Sequence, residues 1–265
     1  MPRDPIVLAY HSVHPTRRGP LTVHPSDFER QIEWLVRCGL SSTTLDTKLQ
    51  ALHHSQPPVG KQVVITFDDG YEDNLRFAQP ILQRYGFTGT VFVVASLVNT
   101  NEILEPDLSV AQYGGKPSNY QILSWDEVLA LVDSGWQVGS HTMTHPHLTT
   151  IDASRVRWEI SESKAVIEDK IERPVNTFCY PAGHYNSDIM EEVRLAGYHG
   201  AVATPRARVL TDTPYSMLRI GVYRHDSLTT FRLKLNRSFA FLRGMPLLWN
   251  INAGLSWARR QFQGK

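Results

Sequence analysis

VVITFDDG, residues 63–70, joins a run that is apolar except for Thr66 to two adjacent carboxylates. The run 63–67 is typical of a buried strand, and Asp68, Asp69 and Gly70 follow where that strand would end. Two neighbouring carboxylates repel each other unless a cation or a proton separates their roles. Asp-Asp-Gly alone is more often a turn than a site, so its meaning depends on what else the chain brings to this strand tip.

Six further runs of strand length occur along the chain, at residues 6–10, 90–95, 136–140, 176–180, 200–203 and 218–223. Segments with helical spacing separate them. A helix is predicted around residues 28–36 with Ser26 as its N-cap, and a second one after the capping box that begins at Ser124. A longer one is predicted over 152–171. Seven strand-like runs alternating with helices predict an α/β fold whose parallel strands close, or nearly close, into a barrel.

The composition is that of an ordinary globular protein, with 265 residues, 42% hydrophobic residues and a formal net charge of +1. So small a charge supplies little phosphate neutralisation and argues against a general nucleic-acid binder. No apolar run approaches the roughly 18 residues needed to cross a bilayer. Cys38 and Cys179 have no metal or disulfide spacing, and the amino terminus has no signal-peptide pattern, so a reducing, cytoplasmic location is expected.

Two segments depart from the alternating pattern. Residues 96–123 are long, polar and interrupted by Gly and Pro, which favours a loop that walls a binding site. Residues 227–265 contain no acidic residue and interleave basic with aromatic side chains, so they are predicted to form a helical extension after a domain of residues 1–226. This extension either packs its apolar side on the barrel or makes peripheral contact with an anionic membrane surface.

A second group of chemical side chains lies at the end of another predicted strand, in SHTMTHPHL at 140–148. His141 and His145 are four residues apart, so one helical turn would place both rings on one side. Two imidazoles and one carboxylate, with a position left for water, have the composition of a catalytic zinc or iron site. A third strand tip, 178–183, breaks at Pro181 and Gly183, where outward N–H groups are suited to an oxyanion.

TFDDG at 66–70 and SHTMTHPHL at 140–148, in this order, resemble the polysaccharide deacetylase family, also called the NodB-homology or carbohydrate esterase family 4 domain. The resemblance extends over residues 5–225 and includes SWDEVLALVDSGWQVGSH at 124–141. It implies a distorted (β/α)7 barrel, one divalent metal ion and hydrolysis of an N-acetyl or O-acetyl group on a sugar. The ion is usually Zn²⁺, and Co²⁺, Ni²⁺ and Fe²⁺ also suit such ligands.

Carried over to this chain, the resemblance implies that Asp69, His141 and His145 hold the metal and that Asp68 is the general base. It also implies that the backbone N–H of Ala182 stabilises the oxyanion.

Cys179 stands where the family's third motif usually begins with Arg, the residue that helps to hold the base. Arg219 on the last predicted strand is the candidate replacement, and the alternative for Arg219 is an ordinary surface ion pair.

LAYHS at 8–12 places a histidine at the tip of the first strand, whereas the last strand lacks the family's usual Leu-x-Leu-x-His pattern. This arrangement resembles the branch that deacetylates poly-N-acetylglucosamine. First and last strands of a barrel are neighbours, so an imidazole from either can reach the same place. His11 is therefore the predicted general acid, with His225 as the fallback.

The predicted function is that of a metal-dependent hydrolase that removes N-acetyl groups, or O-acetyl groups, from an amino-sugar polysaccharide or oligosaccharide. Its predicted partner is an N-acetylated saccharide, with no nucleic acid. One alternative is a deformylase or deacetylase of a lipid-linked amino sugar at the cytoplasmic membrane face. Another is a barrel that binds carbohydrate without catalysis.

Overall fold

Short strands alternate with helices along residues 5–54, 60–100, 102, 104, 120–204 and 213–236, the parts of the chain that the computed structural model describes. The strands are β1 (Ile6–Tyr10), β2 (Ser12–Val13), β3 (Thr22–Val23), β4 (Leu40–Thr43), β5 (Lys61–Phe67), β6 (Thr90–Val93), β7 (Gln137–Ser140), β8 (Thr177–Cys179), β9 (Gly200–Ala203), β10 (Met217–Leu218) and β11 (Ile220–Gly221). The helices are α1 (Pro25–Arg37), α2 (Leu45–His53), α3 (Gln79–Arg84), α4 (Trp125–Asp133), α5 (Ala153–Ile171), α6 (Ser187–Leu195) and α7 (Leu228–Leu235). A π-helical turn (Asn74–Ala78) precedes α3, and 3₁₀ turns span Leu148–Thr150 and Pro181–Gly183.

The main sheet is parallel and runs in the order β10-β9-β8-β7-β6-β5-β1-β11, with β4 beside the first half of β5. Met217 pairs with Val202 of β9, and Ile220 pairs with Leu8 of β1. The single stretch 217–221 thus pairs with both ends of the sheet and closes it into a barrel. Together with β1 and β5 to β9 it makes seven positions, which confirms the predicted distorted (β/α)7 barrel.

The inside of the barrel is filled by apolar side chains that come from strands all around it. This cluster consists of Val7, Val64, Phe92, Cys179, Val202 and Met217, together with Leu45 and Leu49 of α2. The other face of the strands is also buried, as Leu8 and Ile65 show. A strand that is buried on both faces has mostly apolar side chains on both. This is why most of β5 is a nearly continuous apolar run in the sequence. The carboxyl ends of the strands lie on one side of this core and carry the side chains discussed below.

The predicted helix boundaries need one correction. The predicted N-cap Ser26 is wrong, because the N-cap of α1 is His24, whose ring nitrogen accepts from the Ser26 N–H at 3.2 Å, and Pro25 occupies the first turn. The capping box at Ser124 and the start of α5 after Asp152 agree with the prediction. The pattern did not predict β2, β3 or β4.

The described ends of the predicted loop 96–123 lie against the strand tip after β5. Ile122 forms an antiparallel bridge with Tyr71, and the Leu123 N–H donates to the carbonyl of Gly70 at 2.9 Å. The middle of this predicted loop lies outside the described residues, so its role as a wall stays a prediction.

The chain divides into two compact units, Met1–His225 and Asp226–Lys265. The second unit is described only to residue 236. There Lys234 of α7 forms a buried ion pair with Asp226, which lies just before the helix. Most of the basic, aromatic extension lies outside the described residues, and its membrane contact stays a prediction. Among the described helices, none has both the length and the apolarity that a bilayer span requires.

Candidate active site

The tip of β5 turns sharply at the two aspartates. Asp69 has φ +74° and Gly70 has φ +70°, so two successive residues adopt the left-handed region. A Cβ on Gly70 would meet Val93 Cγ1 at 3.2 Å, so glycine suits both the conformation and the space. After this turn the two carboxylates face different partners, as the contacts below show.

Asp69, His141 and His145 form a compact group of potential metal ligands, with one ligand atom of each lying within 4.8 Å of the others. Asp69 Oδ1 is 3.5 Å from His141 Nε2 and 3.6 Å from His145 Nε2. Two donors about 2.1 Å from one ion in tetrahedral geometry are about 3.4 Å apart. The donor set and its spacing therefore fit a single divalent ion.

His141 is prepared for this role by its second nitrogen. Its Nδ1 lies 2.8 Å from the carbonyl oxygen of Cys179, so Nδ1 carries the proton and Nε2 presents its lone pair to Asp69. Burial, reinforced by the neighbouring His145, lowers the pKa of His141 to about 3. The ring is therefore neutral at physiological pH, as a metal ligand must be.

The two histidines do not lie on a helical turn, so that expectation is wrong. They flank a loop in which Thr142 has φ +69° and His145 has φ +63°. A left-handed β-branched residue is uncommon and is maintained here by the surroundings. The side chain of Thr142 accepts from the His145 N–H at 2.9 Å, which holds the second imidazole near the first.

Glu159 of α5 is a buried residue that the sequence analysis did not single out. Its carboxylate accepts from the N–H groups of Met143 and Thr144 at 2.9 and 2.8 Å and from the Thr144 hydroxyl at 2.6 Å. It thus binds the loop between the two histidines. The available signal was an acid on the mainly apolar buried face of α5, beside Val156 and Ile160.

Glu159→Ala is expected to weaken metal binding by about 10- to 100-fold, because it releases the backbone that carries His145. The measurement is the dissociation constant for Zn²⁺, determined by competition with a chromogenic chelator. Glu162→Ala is the matched control, since Glu162 is exposed on the same helix. Equal zinc affinity in the two variants would contradict a supporting role for Glu159.

Asp68 faces a buried guanidinium on the stretch that closes the barrel. Arg219 Nη1 and Nη2 donate to the two carboxylate oxygens of Asp68, each at 2.6 Å, and both side chains are buried. Burial alone would raise the pKa of Asp68, but the Arg219 charge outweighs it and holds that pKa well below its ordinary value. Asp68 is therefore a carboxylate at all physiological pH values.

Cys179 lies beside this ion pair, in the place where the family's third motif begins. Its Sγ is 3.1 Å from Arg219 Nη2 and 3.6 Å from Asp68 Oδ1, and burial raises the pKa of the thiol. Asp68, His141 and Cys179 are also close enough to form a ligand group. The guanidinium occupies the neighbourhood of this second group, so a cation there would face repulsion that the group around Asp69 avoids.

The remaining predicted residues fall in different places. His11 Nε2 is 3.9 Å from Asp68 Oδ2, so the tip of β1 does bring an imidazole beside this aspartate. Ala182 has φ +53° within the turn after β8, where Gly183 and His184 donate to nearby carbonyls. His225 is exposed in a turn after β11.

Fold and site together define a parallel α/β barrel whose strand tips present a carboxylate pair, two imidazoles and a buried guanidinium, at the end where α/β barrels carry their active sites. Residues 55–201 match the family model described as Polysaccharide deacetylase. The chain belongs to the polysaccharide deacetylase family.

Three known proteins show how far the similarity extends. The chain is 26% identical over 217 residues to YxkH of Bacillus subtilis (strain 168), whose name assigns it to the polysaccharide deacetylases, with 82% of this chain and 70% of that protein covered. It is 24% identical over 185 residues to a poly-beta-1,6-N-acetyl-D-glucosamine N-deacetylase of Staphylococcus aureus (strain MRSA252), with 66% of this chain and 59% of that protein covered. The Streptococcus pyogenes deacetylase PplD, solved with acetate, superposes with a TM-score of 0.73 at 21% identity, covering 89% of this chain and 100% of that one. This last similarity establishes the fold alone.

Proposed function

We propose that this protein is a metal-dependent hydrolase that removes N-acetyl groups from an amino-sugar polysaccharide or oligosaccharide. The observation that carries the proposal is the separation of two adjacent aspartates into different environments. Asp69 lies against two imidazoles, as a metal ligand would, whereas Asp68 lies against Arg219 and His11. A barrel that only binds carbohydrate has no need of the second arrangement.

Asp69, His141 and His145 would hold the ion. A bound divalent ion of this kind supplies Lewis-acid polarisation of the acetyl carbonyl and a water of lowered pKa. We favour Zn²⁺ because two imidazoles and one carboxylate are a frequent catalytic zinc set, although Co²⁺, Ni²⁺ and Fe²⁺ share these ligands.

Asp68 is the base of the proposed reaction. As the water oxygen attacks the acetyl carbon, one water proton passes to the Asp68 carboxylate, which Arg219 holds in place through two hydrogen bonds. The N–H of Ala182 is proposed to donate to the oxyanion that develops, because its left-handed turn lies directly after the strand tip that carries Cys179.

His11 is the proposed acid. The carbon–nitrogen bond breaks as the protonated imidazole gives its proton to the departing nitrogen, and acetic acid and a free amine leave the site. The acid ionises to acetate in solution, and the proton taken up by Asp68 restores the protonated imidazole, so both side chains return to their starting states. The His11 ring lies beside Asp68 and is partly exposed, at 17%, so a substrate can reach it. His225 is the less suitable acid because it is exposed in a turn.

Metal removal tests the proposal as a whole. Protein stripped with a chelator is expected to release no acetate from chitooligosaccharides, and one equivalent of Zn²⁺ per chain should restore the activity. His145→Ala is expected to lose both bound zinc and activity, measured by elemental analysis and acetate release. His199→Ala is the control, since His199 pairs with Asp46 at the opposite end of the barrel. Undiminished activity in metal-free protein would refute the proposal.

The substrate class is proposed from a relative's name and from the position of His11. The S. aureus relative is named for poly-beta-1,6-N-acetyl-D-glucosamine, and His11 at the tip of the first strand favours the same branch. We therefore propose a poly-N-acetylglucosamine type of substrate, acted on in the cytoplasm. No described contact favours the lipid-linked alternative, whose support was the basic, aromatic extension 227–265 together with the missing signal-peptide pattern.

A further inference from the structure

The imidazole of His11 lacks the hydrogen bond that commonly orients a catalytic histidine. Its Nδ1 is buried and has no hydrogen-bond partner within the described chain. In many acid–base sites a carboxylate or carbonyl binds this nitrogen and fixes the ring. The position of the His11 ring therefore depends on how its backbone is held.

That backbone lies just beyond the regular pairing of β1. The register of β1 with β5 ends where Tyr10 faces Phe67, so the sheet does not hold the His11 carbonyl. Asn74 Nδ2 donates to this carbonyl at 2.8 Å. Asn74 is fully buried, and its amide also donates to Asp73 Oδ1 at 3.0 Å, which sets the orientation of the amide.

Asp73 holds the two residues that follow His11. Its carboxylate accepts from the Ser12 hydroxyl at 2.5 Å and from the Val13 N–H at 3.1 Å. Asp73 is 4% exposed, and Ser12 and Val13 are fully buried, so these bonds are made out of contact with water. Three consecutive residues, from 11 to 13, are thereby bound to two side chains.

Arg17 fixes the far end of the same segment to the same carboxylate. Its guanidinium lies 3.6 Å from Asp73 Oδ2 and stacks between the rings of Tyr71 and Tyr120, at 3.7 and 4.0 Å from their centroids. Asp73 follows the proposed base Asp68 by five residues, on the same turn of chain. One loop thus carries the proposed base and also holds the segment that carries the proposed acid.

We propose that Asp73 and Asn74 are positioning residues that place His11 for proton donation to the leaving nitrogen. This inference rests on the proposed function, specifically on His11 as the acid. A displaced acid slows only the reactions that need one. An N-acetyl amine leaves poorly without a proton, whereas the phenolate of an aryl acetate leaves without help.

The test compares acetate release from chitooligosaccharides with hydrolysis of p-nitrophenyl acetate by the zinc-loaded full chain. Asn74→Ala is expected to lower amide turnover by about 10- to 100-fold and to leave ester turnover within about twofold, with zinc per chain unchanged. Asp73→Asn keeps the shape of the side chain but leaves a single acceptor oxygen for the Ser12 hydroxyl and the Val13 N–H. We expect a smaller loss of amide turnover than in Asn74→Ala, again with ester turnover nearly unchanged. Asn176→Ala, which removes an amide bonded to Asp46 at the other end of the barrel, should not change the ratio of the two activities.

His11→Ala separates the failure of this inference from failure of the proposed acid. If His11→Ala shows the selective loss of amide turnover and Asn74→Ala lowers both activities equally, Asn74 only supports the fold and the inference is wrong. Unchanged amide turnover in Asn74→Ala would overturn it as well. If His11→Ala itself retains wild-type amide turnover, the acid assignment fails first and the inference fails with it.

Discussion

Asp68→Asn is expected to lower acetate release from chitooligosaccharides by about 10²- to 10⁴-fold, the range that a positioned general base contributes. The amide cannot accept the proton of the attacking water, whereas Asp69, His141 and His145 remain in place to bind the ion. The measurement is kcat together with zinc per chain by elemental analysis. We expect kcat to fall while zinc content and zinc affinity stay at the wild-type level.

This combination distinguishes a base from a ligand. Asp69→Asn is expected to lose zinc and activity together, because its oxygen faces both imidazoles. Asp133→Asn, the same change at an exposed site at the end of α4, should leave both quantities unaltered. Comparable turnover in wild type and Asp68→Asn would remove this residue from the chemistry.

Arg219→Met is expected to lower the free energy of unfolding at pH 7 by about 3–5 kcal/mol, since it leaves a buried carboxylate without its partner. Activity should fall as well, because Asp68, the proposed base, loses the two hydrogen bonds that it accepts from Arg219. The measurement is urea denaturation followed by circular dichroism. Arg219→Lys should recover only part of either loss, because an ammonium cannot bind both carboxylate oxygens in the same plane.

The pH dependence of this loss follows from the pKa of Asp68. In the wild type, Arg219 keeps that pKa below the ordinary 3.8, so the pair stabilises the fold above about pH 4 and its contribution declines in more acidic solution. Without the guanidinium, burial raises the pKa of Asp68, and the folded variant then favours the protonated acid. The difference in stability between wild type and Arg219→Met should therefore shrink as the pH falls from 7 toward 4.

A double variant distinguishes the loss of the ion pair from a general destabilisation of the fold. Asp68→Asn combined with Arg219→Met removes both charges, and replacing a whole buried pair with neutral groups costs far less than breaking it. We expect the double variant to be more stable than Arg219→Met alone at pH 7. An additive loss would mean that the two side chains do not stabilise each other.

Local spacing was sufficient to find the residues that lie near one another in sequence or at strand tips. Asp68 and Asp69 follow an apolar run, and His141 and His145 follow another, so a barrel brings both pairs to one end. The same reasoning did not find Glu159, Asp73 or Asn74. Glu159 on a helix contacts the loop between the two histidines, and Asp73 and Asn74 after β5 contact residues 11–13. These contacts depend on how separate elements pack together, which the spacing of residues along the chain does not show.

The helical turn predicted for His141–His145 shows the same limit. The four-residue spacing of the two histidines is compatible with a helix. In the structure, however, a loop brings the two rings together, through left-handed backbone at Thr142 and His145 and through hydrogen bonds from the loop to Glu159. Likewise, the replacement of the motif's arginine by Cys179 was visible in the sequence. That Arg219 reaches Asp68 as a buried pair, and not as a surface one, was decided by the path of the closing stretch.

The sequence by itself determined the alternation of strands and helices, the buried runs and the chemical identity of the side chains at the strand tips, because these depend on local preference and burial. Local pattern did not separate the two aspartates; the family resemblance assigned their roles, and the tertiary structure shows the contacts, with Asp69 facing the imidazoles and Asp68 facing the guanidinium. The closure of the barrel by residues 217–221 brings Arg219 beside β1 and β9 at once, and such a contact between residues 151 positions apart is set by packing in space.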